Sequence, residues 1–277
     1  KVAIIFTYGE MLSQENDAPL QTLHAFCQAR LADVISAIHI LPFYPWSSDD
    51  GFSVVDYRQV DPQLGSWEDI QRFSQGFRLM FDAVINHVSV ESAWFQKFIQ
   101  GEARYQDFFI TPRPDLDLSA VIRPRTSALL TPFQTASGMQ DVWTTFSADQ
   151  VDLNYKNPQV LFEIIDLLLF YARQGAELIR LDAIAFVWKE AGTTCLNLPQ
   201  AHKIVQILRA VFGQTSPYMK IITETNVPDQ DNRAYFGDGT NEAHLVYNFP
   251  LPPLLLHTFR TGDSRALANW ARGLELP

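Results

Sequence analysis

A chain of 277 residues that is 47% hydrophobic can bury a large core, and its length suits one α/β barrel as well as two ordinary domains. A formal net charge of -10 and a pI near 5.0 give no general attraction for phosphodiester backbones or anionic lipid, which argues against nucleic-acid and membrane partners. A phosphorylated small molecule held by one or two local arginines stays open.

The chain starts at Lys1 with no initiator methionine, basic leader or small-residue cleavage site, so no export is expected. Cys27 and Cys195 fit no Cys-x-x-Cys or zinc spacing and are expected as reduced structural thiols of a cytoplasmic protein. Residues 2–7 read as a strand, 20–31 as a helix and 35–41 as a strand, the alternation of βα units around a parallel sheet. Ser66 with Asp69 forms a capping box that opens a helix to about residue 74, and 78–85 is the next strand. From 89 to about 152 the rhythm breaks into prolines, Gly101, Gly138 and scattered aromatics. This stretch is too long for an ordinary connection and reads as a small subdomain inserted over the mouth of the sheet. The expected division is barrel 1–88, insert 89–152 and barrel continued 153–277.

Asn157 and Pro158 occupy the N-cap and N1 positions of a helix through Tyr171, with Gly175 at its end. Glu163 and Asp166 interrupt its apolar stretch, which therefore reads as a buried helix and not a bilayer span. Residues 178–181 form a strand. Pro199 opens a helix with Ile204, Val205, Leu208, Val211 and Phe212 on one face, stopped by Gly213. Residues 219–223 and 245–248 are strands, and 251–261 and 264–272 helices. The fold class is α/β, a (β/α)8 TIM-type barrel with about six of its eight units present.

The C-terminal strand ends of a barrel open on one face, where its chemistry is built. The third strand leads into Asp82 and Asn86-His87, the fourth carries Arg180 and Asp182, the fifth ends on Glu224, and the loop after the second holds Asp49 and Asp50. Two apart on a strand, Arg180 and Asp182 point the same way, while Ile179, Leu181 and Ala183 face the helices. The guanidinium is expected to lower the Asp182 pKa and orient it, as suits an ionised nucleophile. Glu224, raised by an apolar wall and by that anion, suits a proton donor. A lone strand-end carboxylate is more often salt-bridged or capping, and a lone His87 a satisfied core histidine; it is their joint order that favours chemistry. An alternative is a metal-dependent barrel with Asp82, Asp182 and Glu224 as ligands. Trp46 and Trp143 are candidates for the border of a sugar site, while His202, His244 and His257 read as structural.

Asp-Ala-Val-Ile-Asn-His at 82–87, Ile-Arg-Leu-Asp-Ala at 179–183 and Glu224 resemble three successive signature regions of the alpha-amylase superfamily. Ile-Leu-Pro-Phe-Tyr-Pro at 40–45, Ser-Asp-Asp-Gly-Phe at 48–52, Arg-Pro-Arg at 123–125, Lys-Glu-Ala-Gly-Thr at 189–193 and the run 249–257 resemble its sucrose phosphorylase branch. The likeness covers nearly the whole chain. It implies Asp182 as nucleophile, Arg180 as its orienting arginine and Glu224 as general acid/base. Asp49 and His87 resemble the pair that binds glucosyl hydroxyls, Phe52 an apolar platform under the ring, Phe146 and Gln150 the surrounding wall, and Arg125 an arginine that admits phosphate. Asp49 is preferred to Asp50 for its assignment.

The implied activity is retaining transfer of α-glucosyl from a small non-reducing glucoside to phosphate, with phosphate as co-substrate and no metal or organic cofactor. The segment 48–54 is closer to phosphorylases of glucosylglycerate or a sucrose phosphate than to those of free sucrose. Rival readings are a hydrolase of the same superfamily and a non-catalytic carbohydrate-binding module. The family's His-Asp pair after a seventh strand is absent, since neither His244 nor His257 precedes Asp. A fragment of a longer protein is therefore expected.

Overall fold

Strand-forming runs and crossover helices alternate along the computed structural model, which describes residues 3–274. In chain order they are β1 (Ile4–Thr7), α1 (Pro19–Arg30), β2 (Ala37–Ile40), α2 (Trp67–Phe73), β3 (Arg78–Val84), β4 (His87–Ser89), α3 (Ala93–Ile99), β5 (Leu130–Thr135), β6 (Gly138–Trp143) and β7 (Gln150–Asp152). They continue with α4 (Pro158–Arg173), β8 (Ala176–Asp182), α5 (Pro199–Thr215), β9 (Lys220–Thr223), α6 (Asp229–Ala234), β10 (Leu245–Val246), α7 (Leu251–Thr261) and α8 (Arg265–Arg272). Six of the strands form one sheet in the order β1-β2-β3-β8-β9-β10, each neighbouring pair parallel. The sheet curls as part of a (β/α)8 barrel.

β2, β3 and β8 are almost continuously buried, as parallel strands covered on both faces should be. α4 lays Val160, Ile164, Leu167, Leu168 and Tyr171 onto the sheet, and the Tyr171 ring stacks on Tyr44 at 5.3 Å. Its start is fixed as expected, the Asn157 side chain accepting from the Gln159 N–H, and the Ser66–Asp69 capping box is present at α2. At the sheet's two edges, inward residues stand open: Phe6, in register with His39, is 71% exposed, and Leu245 is 42% exposed.

Some expectations need correction. α5 runs through Gly213 to Thr215, since a single glycine inside a helix costs only about 1 kcal/mol. The strand expected over 245–248 is two residues long. Of the strand expected over 2–7, residue 2 lies outside the described residues. The irregular stretch after β3 has order of its own: β4 pairs antiparallel with β7, and β5 with β6 as a hairpin. No described helix is long and apolar enough to cross a membrane.

Candidate active site

The parallel register brings Asp82 of β3 opposite Arg180 of β8. Arg180 donates through Nη1 to Asp82 Oδ1 at 2.6 Å and to Asp182 Oδ1 at 2.7 Å, while its Nη2 stands 3.9 Å from Glu224 Oε2. Behind Asp82, His39 of β2 bonds its second oxygen at 2.7 Å. The result is a buried line from His39 through Asp82 and Arg180 to Asp182. Arg180 also lies 5.4 Å from the Phe52 ring centre and 5.6 Å from that of Tyr247, so two aromatic rings border it.

Electrostatics sort these groups. Burial works to raise the Asp82 carboxyl, but His39 and Arg180 outweigh it and hold it below its ordinary 3.8. For Asp182 the balance reverses: burial raises it, and Arg180 opposes without prevailing. The lowering expected from Arg180 is thus real but smaller than desolvation. Burial also raises Glu224, and the Asp182 charge adds to that shift. Since Arg180 bonds Asp182 directly and only approaches Glu224, the pair favours its anion on Asp182 and its proton on Glu224.

Glu224 follows the last residue of β9, and its N–H donates to Leu181 O at 3.0 Å. Its Oε2 accepts from the Ala183 N–H at 3.1 Å. That bond exists because β8 ends at Asp182 and Ala183 turns left-handed at φ 49°, so Ala183 lines the cleft and does not face the helices as strand alternation implied.

The second wall is the loop between Trp46 and Val54. Asp49, Asp50 and Gly51 all have positive φ, a strained turn for two non-glycine residues. Asp149 holds it: Ser47, Ser48 and Ser53 each donate to Asp149 Oδ2, the first at 2.6 Å and the last at 2.7 Å. Next to Asp149, Gln150 donates to Asp49 Oδ2 at 3.0 Å and to Phe52 O at 3.2 Å. His87 bonds Phe52 O through Nε2 at 2.8 Å, with its ring 5.2 Å from that of Phe146. Arg125 reaches Asp49 Oδ1 at 3.5 Å.

These groups surround one cleft of about 610 Å³, a volume typical of small-ligand sites. Asp182, Glu224, Arg180, Asp49, His87, Phe52, Arg125, Phe146 and Gln150 all line it, and Asp50 does too. Trp46 instead lines a neighbouring hollow with Glu10 and Asp61. Trp143 faces a separate pocket, its Nε1 donating to Thr145 Oγ1 at 3.1 Å, so neither tryptophan borders the cleft. Sequence reasoning missed Tyr8, Phe186 and Asn226 in the lining and His39 and Asp149 behind it. Only His39 left a signal, a lone imidazole in an otherwise apolar strand. Two of the histidines read as structural behave so: His244 Nδ1 accepts the Ile221 N–H and burial lowers the ring to about 4, while His202 pairs with Glu242 at 2.8 Å.

Parallel strands whose C-terminal ends gather three carboxyls around one cleft-lining arginine are those of a (β/α)8-type barrel. Residues 33–269 match the alpha amylase catalytic domain, and the chain belongs to that family. A glucosylglycerate phosphorylase of Allomeiothermus silvanus is 57% identical over 100% of this chain and 50% of its own length. One from Spirochaeta thermophila is 53% identical over 99% of this chain and 46% of its own. In structure, the sucrose 6F-phosphate phosphorylase from Thermoanaerobacter thermosaccharolyticum superposes with a TM-score of 0.84 at 26% identity, over 97% of this chain and 56% of that one. The chain spans about half the length of the curated relatives it matches.

Proposed function

We propose that the protein is a retaining glycoside phosphorylase that moves α-glucosyl from glucosylglycerate to inorganic phosphate. The observation that carries this reading is the pair of carboxyls, Asp182 and Glu224, set unequally around Arg180 on one cleft. In the first step an Asp182 oxygen bonds to the anomeric carbon as the bond from that carbon to the glycerate oxygen breaks, and Glu224 gives its proton to the departing oxygen. In the second, a phosphate oxygen bonds to the anomeric carbon, the bond to Asp182 breaks, and the phosphate proton passes to Glu224. Two inversions retain configuration.

Asp49 and His87 suit the glucosyl hydroxyls, with Phe52, Phe146 and Gln150 around the ring. Arg125, half exposed at the mouth, suits phosphate with its planar fork. The three carboxylates that a metal would need already converge on the Arg180 guanidinium, so the reading requires no metal or organic cofactor. The kinship with glucosylglycerate phosphorylases favours that donor over sucrose or a sucrose phosphate. Cys27 and Cys195, buried and unpaired, suit the cytoplasm. Incubating the full-length protein with each glucoside, with and without phosphate, tests the proposal. Glucose 1-phosphate formed from glucosylglycerate only when phosphate is present supports it, and free glucose as sole product overturns it in favour of hydrolysis.

A further inference from the structure

Lys189 stands outside the cleft, beyond the turn that follows β8, and is only 6% exposed. Its ammonium lies 2.5 Å from Asp152 Oδ2 and 2.7 Å from Asn86 Oδ1. Burial weakens its hold on the proton and Asp152 opposes this, and at their separation a proton must lie between the two. An ammonium donates and does not accept, so the Asn86 atom facing it has to be the carbonyl oxygen. The Asn86 amide NH2 is thereby turned the other way, to within 3.2 Å of Asp152 Oδ2 and 3.2 Å of His87 Nδ1. The carboxylate takes one amide hydrogen. The second points at the imidazole, whose Nδ1 must then be the bare, accepting nitrogen.

The far side of the ring agrees independently. His87 Nε2 meets the Phe52 carbonyl oxygen at 2.8 Å, and a carbonyl only accepts, so Nε2 carries the hydrogen. The Gln150 amide nitrogen also stands 3.1 Å from Nε2, but its two hydrogens go to Asp49 Oδ2 at 3.0 Å and Phe52 O at 3.2 Å, leaving none for the ring. Asn86, His87 and Asp152 are all buried, so solvent does not compete for these bonds.

We infer that Lys189 is a positioning residue which, by fixing the Asn86 amide, sets His87 in the tautomer with Nδ1 bare and the hydrogen on Nε2 at the cleft. The consequence for substrate rests on the proposed sugar site. His87 can offer a hydroxyl only a donor, the Nε2 hydrogen that otherwise goes to the Phe52 carbonyl, whereas the Asp49 carboxylate, held by Gln150, offers an acceptor only. A hydroxyl seated between them must accept from one and donate to the other, so an ether or a carbonyl oxygen at that position is refused.

The test is nitrogen NMR on the full-length protein with labelled histidine at about pH 8, above the ordinary imidazole value, with His87→Gln giving the assignment. Wild-type His87 should show one form, protonated at Nε2 and bare at Nδ1. The double change Lys189→Met, Asp152→Asn removes both buried charges together, leaving no lone ion. It should release Asn86, so that the Nδ1-protonated form of His87 appears and the KM for the glucosyl donor rises roughly tenfold, the loss of one hydrogen bond, with a smaller change in kcat. Should that pair not fold, Lys189→Gln, whose amide can accept as well as donate, should give the same mixture. A wild-type ring protonated at Nδ1 overturns the inference, as does a single unchanged Nε2 tautomer in the folded variant. Because the tautomer is read without substrate, this result stands apart from the glucose 1-phosphate assay, which judges the proposed activity.

Discussion

Replacing Asp82 with Asn removes a charge from the floor of the site while keeping its volume. Asp82 is fully buried and accepts from Arg180 at 2.6 Å and from His39 at 2.7 Å. Asn keeps one accepting oxygen, so one of those two donors is left facing an NH2 group. A charge-assisted hydrogen bond contributes about 1.5–3 kcal/mol, and breaking a buried ion pair by removing one partner costs about 3–5 kcal/mol, so a loss near the larger range is expected. For a protein of this size each kcal/mol moves the unfolding midpoint by about 2–4 °C, which puts the fall in Tm at roughly 6–20 °C by calorimetry. The pH dependence has a definite sign. Asp82 sits below its unfolded value of 3.8, so its stabilisation is present above that value and is lost as the pH falls through the folded pKa. The gap between wild type and Asp82→Asn should be widest near neutrality and close toward acid. A gap below about 0.5 kcal/mol at neutral pH, or one that grows on acidification, refutes the reasoning.

Gly51→Ala should lose about 1–3 kcal/mol and raise the donor KM, because φ is +97° and the new Cβ would stand 2.9 Å from Pro42 O; wild-type melting and KM together would contradict this. Glu224→Gln should cut glucosyl transfer by about 10²–10⁴-fold. The same variant should gain stability relative to wild type as the pH rises, since a carboxyl raised above its ordinary 4.5 stabilises the fold below that value and loses this as the pH climbs through the folded pKa. Denaturation curves from acid to mildly alkaline pH read that crossing, and a constant offset denies it. Arg125→Ala should impair phosphate use more than hydrolysis of the same donor, and equal loss of both would reduce Arg125 to its contact with Asp49.

The barrel was legible because its core strands are near-continuous apolar runs and its helices carry explicit start signals at Ser66 and Asn157. The convergence of the candidate residues was legible because strand ends in this fold open on one face, so Asp182 and Glu224 line one cleft despite lying far apart in the chain. What stayed hidden depends on long-range contact. β4 and β7 are three residues each and show no period, and Asp149 gains meaning only from the serines that the fold brings to it. Ala183 misled because alternation assumes an extended backbone, which ends one residue earlier. The Arg180–Asp182 pair was visible, but the depth of its burial, which reverses the sign of the Asp182 shift, was not.

The most direct measurement is to trap the glucosyl-enzyme with a slowly turning-over fluorinated glucosyl donor and locate the adduct by peptide mass spectrometry. One glucosyl ester on the peptide containing Asp182, absent from a folded Asp182→Asn variant, is the predicted result. An adduct on Glu224 or on any other side chain, in a protein that still turns over its donor, would contradict it.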